Sequence, residues 1–335
     1  MSTEVGPWRG AKEKREDHLT LTAEENRVVT ARWEAAKAAR GRLDGLLGEV
    51  GERTAAHGGR LEGLEYSLKG LDSFRRKAAG AVDRGDDVED VVADVDDLNR
   101  YTLTFEPDGY VEGTRQAYGE LRARGFEPIS EQNTWEDPVY KGVNTAWQHP
   151  ETKEKFELQF HTPDSFKAKT DNHELYELTR SGQFAEHVEK LDDLTPQQKA
   201  AMTKQYVQAA DLLQNERYEN VRIPPGVDEL GNRKIRAKLN PDVNPEIVAE
   251  VRRMESDLRE THAAAATAAS AGPQQQTNRL STGLDETLQT EGPRLRNNLA
   301  TKRQPERRAE QRQNAVAPAV EVLPTQSQGR GPSLK

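Results

Sequence analysis

The chain has 335 residues, of which 34% are hydrophobic and 31% are charged, so it carries too little apolar material to bury its whole length. We expect one folded domain and a good deal of solvated chain. The absence of cysteine excludes disulfides, thiolate chemistry and zinc sites built from thiolates. No apolar run approaches the ~20 residues of a membrane span, and the first residues lack the apolar segment of a signal peptide. A cytoplasmic protein without membrane contact is therefore expected.

The net charge of −9 at pH 7 averages an acidic body and a basic C-terminal part, since arginine and lysine outnumber acidic residues from Arg279 onward. This balance disfavours bulk polyanion binding by the folded part. It leaves room for a local basic pocket that holds phosphates.

The N-terminal region divides into two parts. Residues 1–20 are polar and predict a flexible N-terminus. Residues 21–58 predict an amphipathic helix, because Thr22 and Glu25 have capping-box spacing and apolar residues recur at helical intervals. We interpret it as a packing helix.

A basic segment and an acidic segment follow. Residues 61–80 predict a shorter helix, on which one stripe at positions i, i+4, i+7 and i+8 carries Lys69, Ser73, Arg76 and Lys77. Residues 85–98 predict an acidic helix that leads into a strand over 98–105. Opposite charges side by side suit magnesium polyphosphate, because the metal prefers oxygen ligands and cations neutralise phosphate oxygens. Ion pairing between the two helices is the structural alternative.

The central segments predict an α+β fold. A helix over 110–124 precedes strands over 126–134, 140–147 and 156–162, the last two joined by a polar turn. This order predicts a mixed β-sheet of about four to five strands flanked by helices, with helical N-terminal and C-terminal extensions.

The strand at 156–162 alternates apolar and polar residues with the period of a half-buried strand. Its core-facing residues are Phe156, Leu158 and Phe160, and its opposite face carries Glu157, Gln159 and His161. Glu157 is expected near the middle of the sheet, where a carboxylate without a partner costs several kcal/mol. A metal ion, a basic group or a donor-rich substrate is therefore its expected partner.

The rest of the chain predicts helices that support the sheet domain and then a disordered tail. The helix after Thr162 places His173 and Glu177 at i, i+4, but a third zinc ligand is missing, so hydrogen bonding is the expected role of His173. Helices over 184–191 and 195–218 support the sheet domain, and residues 219–271 form an arm and a helix. Residues 272–335 predict a disordered tail, whose arginine-rich part over 294–312 is a solvated run or a contact for nucleic acid or an acidic partner.

Five segments in this order resemble the synthetase domain of RelA/SpoT-type alarmone enzymes. They are residues 69–77, 97–102, 140–145, 157–162 and 173–176. The resemblance covers about residues 60–182, and together with the supporting helices it defines a synthetase-like domain over 60–218.

The resemblance implies a nucleotidyltransferase-like fold and a (p)ppGpp synthetase-like reaction, in which Mg²⁺-dependent transfer moves pyrophosphate from ATP to the 3′-hydroxyl of an acceptor nucleotide. Glu157 would be the catalytic base or a magnesium ligand, and Asp97, with Asp96 as its substitute, would bind magnesium. By the same resemblance, the ATP phosphates would be held by Lys69, Arg76, Lys77 and Arg100, with support from Ser73. The acceptor or substrate would be positioned by Tyr140, Gly142, Asn144, Gln159, His161 and His173.

The chain also departs from the family pattern. Val143 stands where the family places a tyrosine that stacks on the acceptor base, which leaves Tyr140 or Trp147 as substitutes. The acceptor alternatives are GDP or GTP, ADP or ATP, and the tRNA 3′ end. The altered spacing before Arg100 makes Asp94 a further candidate metal ligand.

No hydrolase segment precedes the synthetase-like domain, so the resemblance implies a small synthetase, or a toxin-type member with an antitoxin or immunity protein as partner. Two alternatives are a non-catalytic nucleotide-binding or partner-binding module on the same fold and a phage-associated scaffold protein.

Overall fold

The structure of the protein is a computed structural model that describes residues 5–12 and 16–271. The predicted disordered tail and its arginine-rich part lie outside the described residues. Within the described residues, the helices are α1 (Ala23–Arg53), α2 (Leu71–Val82), α3 (Val88–Asp94), α4 (Tyr110–Ala123), α5 (Pro163–Asp171), α6 (His173–Arg180), α7 (Gln183–Glu189), α8 (Pro196–Tyr218) and α9 (Pro245–Ala271). The strands are β1 (Trp8–Arg9), β2 (Thr20–Leu21), β3 (Arg60–Glu62), β4 (Arg100–Thr104), β5 (Glu127–Asn133), β6 (Val143–Gln148) and β7 (Lys155–His161).

Five of these strands form one mixed sheet in the order β3-β4-β7-β6-β5. The β4 and β7 strands run parallel, and every other pair in the sheet is antiparallel. The predicted α+β class and mixed sheet are confirmed. The β7 strand is the central strand, so Glu157 lies in the middle of the sheet, as its sequence pattern predicts.

The two faces of the sheet differ in chemistry. One face carries Leu103, Leu158 and Phe160, and it packs against the C-terminal half of α1 and against α4 in the main hydrophobic core. Side chains alternate between faces along each strand, so the polar residues of β4 and β7 lie on the opposite face. Burial of the apolar face therefore fixes which residues form the polar face.

Two further cores lie beside the sheet. One joins the N-terminal half of α1 to α2, α3 and β2. The other is helical and joins α6, α7, α8 and α9 through residues such as Leu178, Phe184 and Val251. No helix of the described residues is long and apolar enough to cross a bilayer.

Helix α1 begins as the sequence predicts. The Thr22 Oγ accepts from the Glu25 backbone N–H at 3.2 Å, and the Glu25 carboxylate accepts from the Thr22 N–H at 2.7 Å. The helix ends at Arg53, before the predicted boundary, and a 3₁₀ turn over Ala55–His57 follows, ending at Gly58 with a φ of 80°. The Thr54 hydroxyl donates to the carbonyls of Val50 and Gly51 in the last turn.

The prediction of a helix over 61–80 is wrong for the first half of that range. Residues 60–62 form β3, which pairs with β4, and Gly63 then takes a φ of 61°, which favours glycine. Helix α2 begins only at Leu71, so Lys69 precedes it and does not share a helical stripe with Lys77. The acidic helix is likewise shorter than predicted, since α3 ends at Asp94.

Other boundaries also differ from the sequence expectations. The strand predicted from residue 140 begins at Val143. The single helix predicted after Thr162 is two helices separated by Asn172, whose amide donates to the Gln214 carbonyl on α8 at 3.2 Å. Trp8 and Arg9, in the segment predicted to be flexible, form β1 and pair with β2. Leu21, the first residue of the predicted helix, lies instead in β2 and is buried beside α2.

Candidate functional site

The polar face of the central strands is a buried array of hydrogen-bonding groups. Strand register places Arg100 opposite Glu157, Thr102 opposite Gln159, and Thr104 opposite His161, and all six residues are buried. On the other side of β7, Asn144 faces Gln159, and Gln132 faces Asn144 in turn. We call the row Thr102, Gln159, Asn144 and Gln132 the amide row.

Glu157 is 4% exposed and has hydrogen-bond donors and cationic side chains as neighbours. The Gln159 side-chain amide donates to Glu157 Oε1 at 2.9 Å. Arg100 is the register neighbour of Glu157 on β4, and Lys169 interacts with Glu157 electrostatically. Of the expected partners, which are a metal ion, a basic group or a donor-rich substrate, the described residues supply basic side chains, Arg100 and Lys169.

Lys169 is a residue of this site that sequence reasoning missed. Its ammonium group donates to Gln159 Oε1 at 2.5 Å, so the Gln159 amide bridges Lys169 and Glu157. Burial lowers the pKa of Lys169 to about 8, an effect that the Glu157 charge opposes and the Arg100 charge reinforces. No local motif marks Lys169, because its position depends on how α5 folds back over β7.

Asp97 lies at the centre of a second charged group. The carboxylate is fully buried, and it accepts from Lys77 Nζ at 2.8 Å and from Lys69 Nζ at 3.4 Å. The two predicted ATP-binding lysines therefore both contact Asp97, although Lys69 precedes α2 and Lys77 lies on it.

Backbone bonds place this second group next to Glu157. The Lys69 N–H donates to the Leu98 carbonyl at 2.8 Å, and the Glu157 N–H donates to the Asn99 carbonyl at 2.9 Å. Leu68 also forms a bridge with Asn99. Chains bonded in this way lie about 5 Å apart, so the segments of Lys69 and Glu157 lie on either side of the segment of Asp97, each one strand spacing from it.

The predicted magnesium ligands do not fit a resident metal site. In the part of the chain that the structure describes, no group of three or more His, Asp or Glu side chains is arranged to hold a metal ion. Two lysines already balance the charge of Asp97. Asp94 is exposed at the end of α3, and Asp96 is half-buried.

Arg76 and Ser73 have different surroundings from the two lysines. Arg76 Nε lies 3.0 Å from Glu16 Oε2, in the segment between β1 and β2. Ser73 is buried on the first turn of α2. Arg76 and Ser73 lie on the same helix as Lys77. Arg76 is nevertheless paired with Glu16 of the N-terminal segment and not with Asp97.

Tyr140 and His161 form a hydrogen-bonded group at the end of β7. The Tyr140 hydroxyl lies 2.8 Å from Asn144 Oδ1 and 3.0 Å from His161 Nε2, and His161 Nδ1 lies 3.1 Å from the Ser165 hydroxyl. Burial, and after it the charge of Lys169, lowers the pKa of His161 well below its usual range. His161 is therefore a neutral hydrogen-bonding ring at pH 7.

Gly142 makes room for this ring. A Cβ atom at position 142 would lie 2.7 Å from His161 Cε1 and 3.0 Å from the Phe160 carbonyl oxygen. The glycine therefore acts by allowing the loop before β6 to lie against His161.

The side chains expected to replace the stacking tyrosine, Trp147 and Tyr140, are both buried. Val143 and Trp147 are fully buried in the core on the apolar face, and the Trp147 indole N–H donates to Thr145 Oγ1 at 2.8 Å. The expectation that Trp147 could stack on an acceptor base is therefore wrong. Tyr140 is on the correct side of the sheet, but it is 5% exposed.

His173 lies on α6, away from the strands that form the polar face. Its ring centroid is 6.1 Å from that of His262 on α9. Burial lowers the pKa of His173, while the nearby Glu177 and Glu174 act in the opposite direction. The structure thus places His173 in the α6–α9 contact, where it packs in the helical part of the molecule.

The fold and site define a mixed α+β protein with a buried, charged polar face on its central sheet. No protein-family model and no curated protein matches the chain. A solved structure, smu.1046c from Streptococcus mutans, is similar, with 13% sequence identity over 55% of this chain and 91% of that chain and a TM-score of 0.28.

Proposed function

We propose that this protein is a RelA/SpoT-like pyrophosphokinase that transfers pyrophosphate from ATP to the 3′-hydroxyl of a nucleotide acceptor. The observation that carries the proposal is that the strand of Glu157 pairs directly with the segment that carries Asp97, whose carboxylate holds Lys69 and Lys77. These groups come from three separate segments of the sequence, and the backbone bonds between the segments join them. Phosphoryl-type transfer needs this combination of charge neutralisation, positioning and a proton acceptor.

In the proposed reaction, the acceptor 3′-hydroxyl oxygen attacks the β-phosphorus of ATP. The bond from that phosphorus to the oxygen bridging the α-phosphorus breaks, and AMP leaves with that oxygen. Glu157 accepts the hydroxyl proton, while Lys69, Lys77 and Arg100 neutralise phosphate oxygens. Because the described residues contain no group of three or more His, Asp or Glu side chains arranged to hold a metal ion, we treat magnesium as part of the substrate, entering as its complex with ATP.

The test is release of AMP from labelled ATP in the presence of GDP, GTP, ADP or uncharged tRNA. We expect AMP with at least one acceptor, and a loss of roughly 10²- to 10⁴-fold in Glu157→Gln, the range for a general base. Glu127→Gln is the matched control, because Glu127 is exposed on β5 and its activity should equal that of the wild-type protein.

A second candidate is a non-catalytic nucleotide-binding module on the same fold. The observation in its favour is that Asp97, the expected metal ligand, is held by two lysines. If ATP binds but no acceptor yields AMP, this second candidate replaces the first.

A further inference from the structure

The segment between α8 and α9, residues 219–244, is fixed to the edge of the sheet. The Asn133 side-chain amide on β5 donates to the carbonyls of Val227 and Leu230 at 2.6 and 2.7 Å. The Asn133 backbone also pairs with residues 232 and 234. We call residues 219–244 the arm.

The buried Asp137, in the loop between β5 and β6, fixes the next part of the arm. Its Oδ2 accepts from the backbone N–H groups of Arg236 and Ala237, at 2.6 and 3.2 Å. These bonds position the backbone of Arg236 against the sheet without using its guanidinium group.

The Arg236 guanidinium reaches the polar face. It donates to Oε1 of Gln132 on β5. Glu131, the neighbour of Gln132, accepts from Tyr118 on the apolar side, so Gln132 lies on the polar side, at one end of the amide row. The positive charge of Arg236 is also close enough to Tyr140 to oppose the rise in its pKa that burial causes.

Lys169 reaches the same row from α5. Gln159, to which it donates, and Gln132 flank Asn144 on either side. Two strand spacings separate them, about 10 Å between backbones, so two cations from different segments bracket Asn144. Lys69 and Lys77 lie at the opposite side of β7 in the strand order, where Asp97 precedes β4.

We propose that Lys169 and Arg236 form a binding site for the phosphate groups of a second nucleotide, on the far side of Glu157 from Lys69 and Lys77. The ligand is the 5′-phosphate of a free nucleotide. Asn144 lies between the cations and contributes amide hydrogen-bonding groups. With no aromatic side chain available at Val143, charge takes a larger share of the recognition of this nucleotide. Identification of the ligand as a nucleotide rests on the proposed function, whereas the cation pair does not.

The experiment measures dissociation constants for GDP and ADP, and for guanosine and adenosine, in the absence of ATP. Lys169→Gln and Arg236→Gln should each weaken diphosphate binding roughly ten- to a hundredfold, the value of a charged hydrogen bond. Nucleoside binding should be unchanged. Lys167→Gln and Lys238→Gln remove exposed cations from the same helix and the same arm and should leave every constant unchanged.

Lys169→Arg keeps the positive charge and should keep most of the affinity. Thermal denaturation of each variant shows whether it is folded. Unchanged diphosphate binding in folded Lys169→Gln and Arg236→Gln, equal weakening of nucleoside binding, or no wild-type binding of either diphosphate would each overturn the inference.

The outcomes also separate this inference from the proposed reaction. Diphosphate binding that depends on Lys169 and Arg236, without AMP release, supports the site and rejects the pyrophosphokinase. AMP release whose acceptor KM is unaffected by either substitution supports the pyrophosphokinase and rejects the site.

Discussion

At the scale of single residues, the polar face is stabilised by side chains that each satisfy two neighbours. Gln159 donates to Glu157 and accepts from Lys169, and Tyr140 contacts both Asn144 and His161. Buried polar groups are costly without partners, so such bridging residues make a charged, buried face compatible with folding. Their arrangement also restricts which side chains can move.

Gly142→Ala tests this packing. The added methyl group meets His161 and a backbone carbonyl at distances that require a shift, so we expect about 1–3 kcal/mol of lost unfolding free energy, the usual cost of overpacking. Urea denaturation measures it. Gly119→Ala on α4 is the control, because nothing lies within 4 Å of its Cβ position, and alanine in a helix should stabilise slightly. Equal stability of Gly142→Ala and the wild-type protein would contradict the close contact.

At the scale of elements, the arm and α5 add cations to the polar face. The sheet supplies Arg100, Glu157 and Gln159, but the additional cations Lys169 and Arg236 come from elements outside it. The arm also lies outside residues 60–182, the part of the sequence on which the proposed function rests. If the proposal is right, the arm is where ligand specificity would differ from that of the RelA/SpoT synthetases.

Asn133→Ala tests the attachment of the arm. The substitution leaves two buried carbonyls, of Val227 and Leu230, without their donor, so we expect a loss of about 2–4 kcal/mol in unfolding free energy. Denaturation measures the loss, and limited proteolysis should cut the arm faster. Asn232→Ala is the control, because Asn232 is exposed and takes part through its backbone carbonyl. Protection of the arm equal to that of the wild-type protein would show that Asn133 does not hold it.

At the scale of the whole molecule, buried histidines connect stability to pH. The pKa values of His161 in the sheet and His173 in the helical part are both lowered, mainly by burial. Below the ordinary histidine pKa of about 6.5 the unfolded chain binds protons that the native histidines do not. Both parts of the fold should therefore lose stability as the pH falls.

The prediction is a decrease in unfolding free energy from pH 7 to pH 5, to which each histidine contributes up to about 1.4 kcal/mol per pH unit. His173→Gln removes one of the two groups and should make the decrease smaller. Chemical denaturation at several pH values measures both proteins, and an identical decrease in the two would contradict the contribution of His173.

The sequence predicts local features of this fold better than long-range ones. Alternation at residues 156–161 identified β7 and the face of Glu157, and the spacing of Thr22 and Glu25 identified the start of α1. The sequence predicts a helix from residue 61 and misses β3, because a three-residue strand has no measurable period and depends on pairing with β4. Lys169 and Arg236 could not be found, since their contacts depend on tertiary folding.

The contact between the arm and Asn133 also covers the end of β5, an edge strand of the sheet. Backbone groups at the end of β5 pair with residues 232 and 234, and such groups, when left bare, attract strands from other molecules. A shortened protein that stopped after α8 would expose this edge and would also lack Arg236. Such a fragment would also lose α9 from the helical core, so its aggregation would reflect both losses, and a failure to bind nucleotides would say little about the intact chain.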